Sequence, residues 1–254
     1  MARRLSRLFE LRLHMRRLPK RPELPVAQRK KLRNETAAIT AHAGPRAEAA
    51  RRYGNARKAK WFAPVVKSLA ELSGPGQRCM FCSGSEATDI EHYRPIAVFP
   101  ALAMTWLNYL WSCTPCNRGK SNRFPPDTET GAQFLNPLDD DVWEYFFIDE
   151  FGILTPRFDQ FSNTFNPRAV STRDFLDLNR EAVQESRKLR LDDLKSQVGE
   201  TLQLASLGKF TKVQLRAKIS KWLKQPFQPD VADYFLNGPG REEAPFRELF
   251  LMMQ

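Results

Sequence analysis

The sequence predicts an α+β chain, mainly α-helical, built around a small cysteine-tied β core. Three observations carry that expectation. Four cysteines fall in two Cys-x-x-Cys pairs with thirty residues between them. Short aromatic segments with strand-like alternation lie inside that gap, and proline-punctuated stretches of helical periodicity flank it on both sides. At 254 residues and 42% hydrophobic content, the chain can bury a sizeable core as one compact unit.

Each element has a local reason. Residues 1–18 place Leu5, Leu8, Phe9, Leu11 and Met15 among arginines, the pattern of an amphipathic helix, and Pro19, Pro22 and Pro25 break the chain after it. Residues 27–73 read as helices that close on Trp61-Phe62 and Val65-Val66 before Ser73-Gly74-Pro75-Gly76. His14 and His42 sit in these basic stretches and are expected at the surface. Thr88 to Tyr93 alternates as a strand and stops at Arg94-Pro95, because proline cannot continue a ladder. Trp106 to Ser112 is a second strand, and Cys116 to Asn122 a short helix that Pro125-Pro126 terminates. Beyond residue 129, Trp143 to Ile148 and Phe151 to Leu154 flank a turn at Asp149-Glu150. Ser171 or Thr172 is expected to cap one long helix to about residue 206, with Asp174 in its first turn, and a second helix runs from Thr211 to Gln225. Three regions result: a basic helical N-terminal region (1–76), a core (77–128), and a mixed, then helical, C-terminal region (129–254).

Charge is uneven along the chain. Residues 1–78 hold 20 Lys and Arg against 5 Asp and Glu; the remainder holds 20 against 24, within an overall balance of +11. A basic half suits the phosphate backbone of nucleic acid, with packing against an acidic partner or against Asp139-Asp140-Asp141 as the alternative. There is no apolar run of membrane-spanning length and no secretory-signal pattern, so the expectation is a cytoplasmic protein without a membrane partner.

Cys79, Cys82, Cys113 and Cys116 are the only cysteines. In a reducing cytosol two disulfides are disfavoured, and four thiolates are the soft tetrahedral set of a structural Zn²⁺. Between the knuckles lies His92, directly preceded by Glu91, and Asn117 follows the last cysteine.

The run Cys-x-x-Cys, Asp-Ile-Glu-His-Tyr-Arg-Pro, Asn-Tyr-Leu-Trp-Ser-Cys-Thr-Pro-Cys-Asn-Arg-Gly-Lys resembles the HNH (His-Me finger) nuclease motif, a ββα-metal fold. The resemblance implies that His92 is the general base and Glu91 the metal-binding acid. It also implies that Asn108 pins the loop between the strands and that Asn117 completes the metal site. Trp61, Phe134-Leu135-Asn136-Pro137, and Phe175 to Asn179 with Arg187 are similar to the HNH component of Septu-type and retron-linked antiphage systems. In those systems a small HNH protein works beside an ABC-type ATPase, which is the partner the resemblance implies.

The residues themselves suit phosphodiester hydrolysis. A neutral imidazole can deprotonate water near pH 7. Glu91, Asn117 and Asp89 offer oxygen ligands, which favour Mg²⁺ or Mn²⁺ over a second zinc. Lys120, Arg118 and Arg94 are candidates to hold phosphate. DNA is the favoured substrate, with RNA such as tRNA open. The competing class is a non-catalytic zinc module that binds nucleic acid or scaffolds a partner, with His92 as a packing residue.

Overall fold

The computed structural model describes residues 20–74, 76–84, 86–124, 134–223, 234, 240 and 242–253. The stretch 1–18, with His14, and the Pro125-Pro126 pair lie outside the described residues. The chain is α+β, its strands paired in three two-stranded sheets among the described residues.

Two proline-led helices, α1 (Val26–Thr40) and α2 (Pro45–Lys58), pack on each other, and Pro45 occupies a first-turn position that its fixed φ suits. Helix α3 (Ala63–Leu72) buries Val65, Leu69 and Leu72, the i, i+4, i+7 stripe of an inward face. Strands β1 (Asp89–His92) and β2 (Tyr109–Ser112) pair antiparallel, Asp89 opposite Ser112 and His92 opposite Tyr109. The first was legible from its alternation; the second, expected from Trp106, begins only at Tyr109, because Trp106–Asn108 form a 3-10 turn. Helix α4 (Thr114–Lys120) starts two residues earlier than expected, with Pro115 in its first turn. It ends because Ser121 turns to φ 48°, before the proline pair is reached.

The hairpin of β3 (Phe146–Ile148) and β4 (Leu154–Pro156) turns at Asp149, whose Oδ1 accepts from the Phe151 and Ile153 amides at 3.0 and 2.8 Å. A small exposed ribbon, β5 (Phe158–Asp159) with β6 (Thr164–Phe165), follows.

The single long helix expected after Ser171 is in fact two, α5 (Pro167–Phe175) and α6 (Glu181–Ser206). Asn166 caps α5, accepting from the Arg168 and Ala169 amides. Thr172 lies buried inside α5, its hydroxyl accepting from the Leu135 amide and donating to the Arg168 carbonyl. The break between them is held by Arg187, buried on α6, which donates to the carbonyls of Leu178 and Gly152 and to Asn179 Oδ1. Gly152 (φ +78°) is required there, since a Cβ would sit 2.5 Å from the Gln184 carbonyl. Phe175 to Asn179 with Arg187 thus form a clamp joining the β3–β4 hairpin to α6. Helices α7 (Lys212–Leu223) and α8 (Phe246–Met253) follow, α7 being led by Thr211, whose hydroxyl accepts from the Gln214 amide.

The buried apolar residues form one cluster, from Leu32 and Ile39 through Phe62, Leu110 and Phe134 to Leu191 and Val198. No helix among the described residues is long and apolar enough to cross a membrane.

Candidate functional site

The β1–β2 pairing brings the two knuckles together. Met80 N–H donates to the Trp111 carbonyl at 2.9 Å, and each knuckle closes on its own first cysteine: Ser83 N–H to the Cys79 carbonyl, Asn117 N–H to that of Cys113, both 2.9 Å. The four sulfurs then lie within 4.8 Å of one another, buried and unoxidised. Four convergent buried thiols are a donor set that fits one tetrahedral zinc ion. The hydrogen bond with Cys116 holds the Cys113 thiol down to about 6.

A residue that sequence reasoning missed stands over this cluster. Arg180, just before α6, points Nη2 at Cys82 and Cys116 (3.5 Å each) and at Cys113 (3.7 Å). Its burial works against the charge, but the sulfurs of Cys116 and Cys82 outweigh that and raise its pKa. A guanidinium here offsets part of the −2 charge that four thiolates leave on a Zn²⁺ centre. No local sequence signal marks Arg180, because it is about sixty residues from the nearest cysteine.

Strand geometry sorts the acids from the histidine. Asp89 and Glu91 share the β1 face that meets α4, and His92 takes the other. Along α4, Thr114, Asn117 and Lys120 fall on one helical face. Thr114 donates to Asp89 Oδ2 at 3.1 Å and Lys120 to Glu91 Oε1 at 2.6 Å, so half-buried Asn117 sits between the two contacts.

Lys120 differs from expectation. It is fully buried, and its ammonium also donates to the His92 carbonyl at 2.7 Å. The side chain faces inward because Ser121 turns the chain immediately after it, so Lys120 neutralises Glu91 where a solvent-facing phosphate ligand was expected. Burial raises the Glu91 pKa against the pull of Lys120, and burial lowers that of Lys120 against Glu91. Both shifts express one buried ion pair. Lys120→Met is therefore expected to cost about 3–5 kcal/mol, because it strands a buried carboxylate. Adding Glu91→Gln should recover most of that loss in urea melts. If the single variant melts like the wild type, the pair is not holding the core.

On the opposite face, His92 is 6% exposed and packed edge-on between Tyr53 (ring centroids 4.5 Å) and Tyr109 (5.1 Å). Its Nε2 lies 2.9 Å from the Ala103 carbonyl. A carbonyl only accepts, so Nε2 carries the hydrogen and Nδ1 keeps the lone pair. Burial pushes the imidazole down to about 4, with the charges of Lys120 and Arg57 in the same direction and the Ala103 bond opposing. His92 is neutral at any ordinary working pH.

Asn108 braces a loop. Its Oδ1 accepts from the Arg94 amide (2.8 Å), and its Nδ2 donates to the carbonyls of Arg94 (3.0 Å) and Leu102 (3.1 Å). Arg94 is half-buried over Phe99 and Phe124, and Arg118 is exposed. Tyr53 and Arg57, one turn apart on α2, also reach this centre, Arg57 Nη2 lying 3.8 Å from Asp89 Oδ1. The signal for Tyr53 was present: it is the only aromatic residue on a basic, alanine-rich helix.

No family model matches the chain. The Septu protein PtuB of Bacillus mycoides (strain KBAB4) is 32% identical over 119 residues, covering 35% of this chain and 40% of that protein. The Septu protein PtuB of Bacillus thuringiensis is 34% identical over 65 residues, covering 24% of this chain and 25% of that protein. The chain is thus similar to Septu PtuB proteins over a part of its length, and it spans two fifths or less of the curated relatives it matches.

Proposed function

We propose that the protein is a metal-dependent endonuclease of the HNH type, acting in the cytoplasm as an antiphage defence effector beside an ABC-type ATPase. The observation that carries the chemistry is the His92 tautomer. The Ala103 carbonyl fixes the ring and leaves Nδ1 as a bare acceptor. In the reaction, Nδ1 takes a proton from water as the water oxygen bonds to phosphorus. The P–O3′ bond then breaks and the leaving oxygen takes a proton from a second water, leaving a 5′-phosphate and a 3′-hydroxyl; the imidazolium returns its proton to solvent. Glu91, Asn117 and Asp89 would be the oxygen donors for a Mg²⁺ or Mn²⁺. Such a cation supplies charge stabilisation to the phosphorane and to the leaving oxygen. Lys120 holds Glu91 in place and fixes the backbone at His92. The defence role and the ATPase partner rest on the partial similarity to Septu PtuB proteins.

One observation favours a second reading, a non-catalytic zinc module. Glu91 Oε1 already has a cationic partner in Lys120, so the acid is satisfied without a metal. Digests decide between the two. Plasmid, single-stranded DNA and total tRNA are incubated with the protein in Mg²⁺ or in EDTA, with and without the adjacent ATPase. Cutting that requires Mg²⁺ is expected for at least one substrate, DNA first. Intact substrates in every condition would leave the zinc module standing.

A further inference from the structure

A groove of about 410 Å³ runs along α2, and one stripe of that helix forms its wall: Arg46, Tyr53 and Arg57 face Ile96 and Asn122. Two of its lining residues, Tyr53 and Arg57, also touch the centre described above. The Tyr53 ring meets His92 edge-on, and the Tyr53 hydroxyl is buried without a hydrogen-bond partner. The Glu91 and Asp89 carboxylates and the Arg57 guanidinium all act electrostatically on that hydroxyl.

The arginines of α2 divide by direction. Arg51 and Arg52 point away from the groove and are engaged with acids: Glu48 binds both, at 2.5 and 2.6 Å, and Glu35 binds Arg52 at 2.6 Å. Arg46 and Arg57 line the groove. Among the described residues Arg46 has no ion-pair partner, and Arg57 has only the 3.8 Å approach to Asp89. No carboxylate lines the groove. Eleven residues separate the two guanidinium-bearing positions, a rise of about 16 Å along the helix, which is the reach of several nucleotides of one strand.

We infer that this groove binds the phosphate backbone of a nucleic-acid strand. Arg46 and Arg57 are its phosphate contacts, and Tyr53 is the positioning residue that aligns the strand beside His92. Two arginines in a channel whose lining holds no carboxylate, Arg46 without an ion-pair partner among the described residues and Arg57 with only the 3.8 Å approach to Asp89, match a repeating monoanion, and phosphate is the repeating anion that a basic channel takes without sequence choice. The inference deepens the endonuclease reading, on which it rests for the position of the scissile bond. Binding itself needs no cleavage, so the two can fail separately.

The test uses the full-length, zinc-loaded protein and fluorescein-labelled 20-mer single strands of DNA and of RNA, in EDTA so that nothing is cut. Anisotropy titrations over a salt series compare wild type, Arg46→Ala/Arg57→Ala, and a charge-matched control, Lys209→Ala/Lys212→Ala, at exposed positions. Wild type and the control are expected to bind alike. The groove variant should bind at least ten-fold more weakly, and its log–log salt slope should fall by about 1.4, the loss of two single-strand phosphate contacts. The DNA and RNA arms tell which strand is preferred. Matching melting curves for groove variant and wild type keep the comparison free of folding effects. Wild-type affinity and slope in the groove variant would overturn the inference. So would an equal loss in the lysine control, or no binding of either strand by wild type. Binding lost in the groove variant together with intact substrates in the digests would keep the groove and remove the nuclease.

Discussion

Replacing one zinc-site cysteine, Cys116→Ser, is expected to leave no stably folded protein. The knuckles join the ends of β1, β2 and α4, which are a four-residue strand pair and a seven-residue helix. A sheet of two strands is marginal alone, and so is a helix of seven residues. Metal binding in small thiolate sites contributes on the order of 10–16 kcal/mol near neutral pH. The whole net stability of a domain is about 5–15 kcal/mol. Elemental analysis should find one zinc per chain that resists mild chelation and leaves on unfolding. Arg180 adds to the effect, since without the thiolates its half-buried charge loses its counter-ions. A zinc-free preparation that melts at the wild-type temperature would show that the cluster is not what holds the core.

His92→Gln should lower the cutting rate by 10²- to 10⁴-fold with the fold retained, the usual range for loss of a general base. Glutamine can still donate to the Ala103 carbonyl, which also accepts from the Tyr109 hydroxyl, and it fills most of the space between Tyr53 and Tyr109. It has no basic lone pair to replace Nδ1. The pH profile gives a second readout. An imidazole at the ordinary 6.5 would be about nine-tenths protonated at pH 5.5, and activity would fall ten-fold from its plateau. With His92 held down to about 4, the proton-accepting form persists across that interval, so rates at pH 7.5 and 5.5 should agree within about two-fold. Retained cutting in the variant, with metal and substrate saturating, would take the base role from His92.

What could be read from the sequence follows from how local the cause is. Two knuckles, one alternating and one apolar, aromatic segment and a histidine between them are local patterns, and they placed β1, α4 and the sulfur cluster within a residue or two and β2 within three. Asn108 was legible as a brace, because a two-sided amide beside a chain turn suits that work. Lys120 was misplaced because its direction depends on the turn at Ser121 and on the burial of Glu91, neither of which is written in residue type. The helix break at 176–180 escaped for a similar reason. Helical periodicity runs on through it, and the cause is a buried arginine on the following helix, Arg187, gripping Leu178 and Asn179. Tyr53 and Arg57 meet the centre across some forty residues of chain, a distance over which spacing carries no information.

Arg180 also gives the cysteine cluster a chemically weak corner. Its N–H groups draw electron density from three sulfurs, while among the described residues no arginine reaches Cys79, whose neighbour is the Ser112 hydroxyl at 3.8 Å. A thiolate that accepts a cationic hydrogen bond is a poorer nucleophile than one that does not. With zinc bound and all four sulfurs ionised, an oxidant that enters this site is expected to meet Cys79 as the sulfur least shielded by Arg180, and a sulfenic acid formed there would have Cys82 as its knuckle partner for a disulfide. One sulfur of four would then set how long the assembled centre survives oxidative stress.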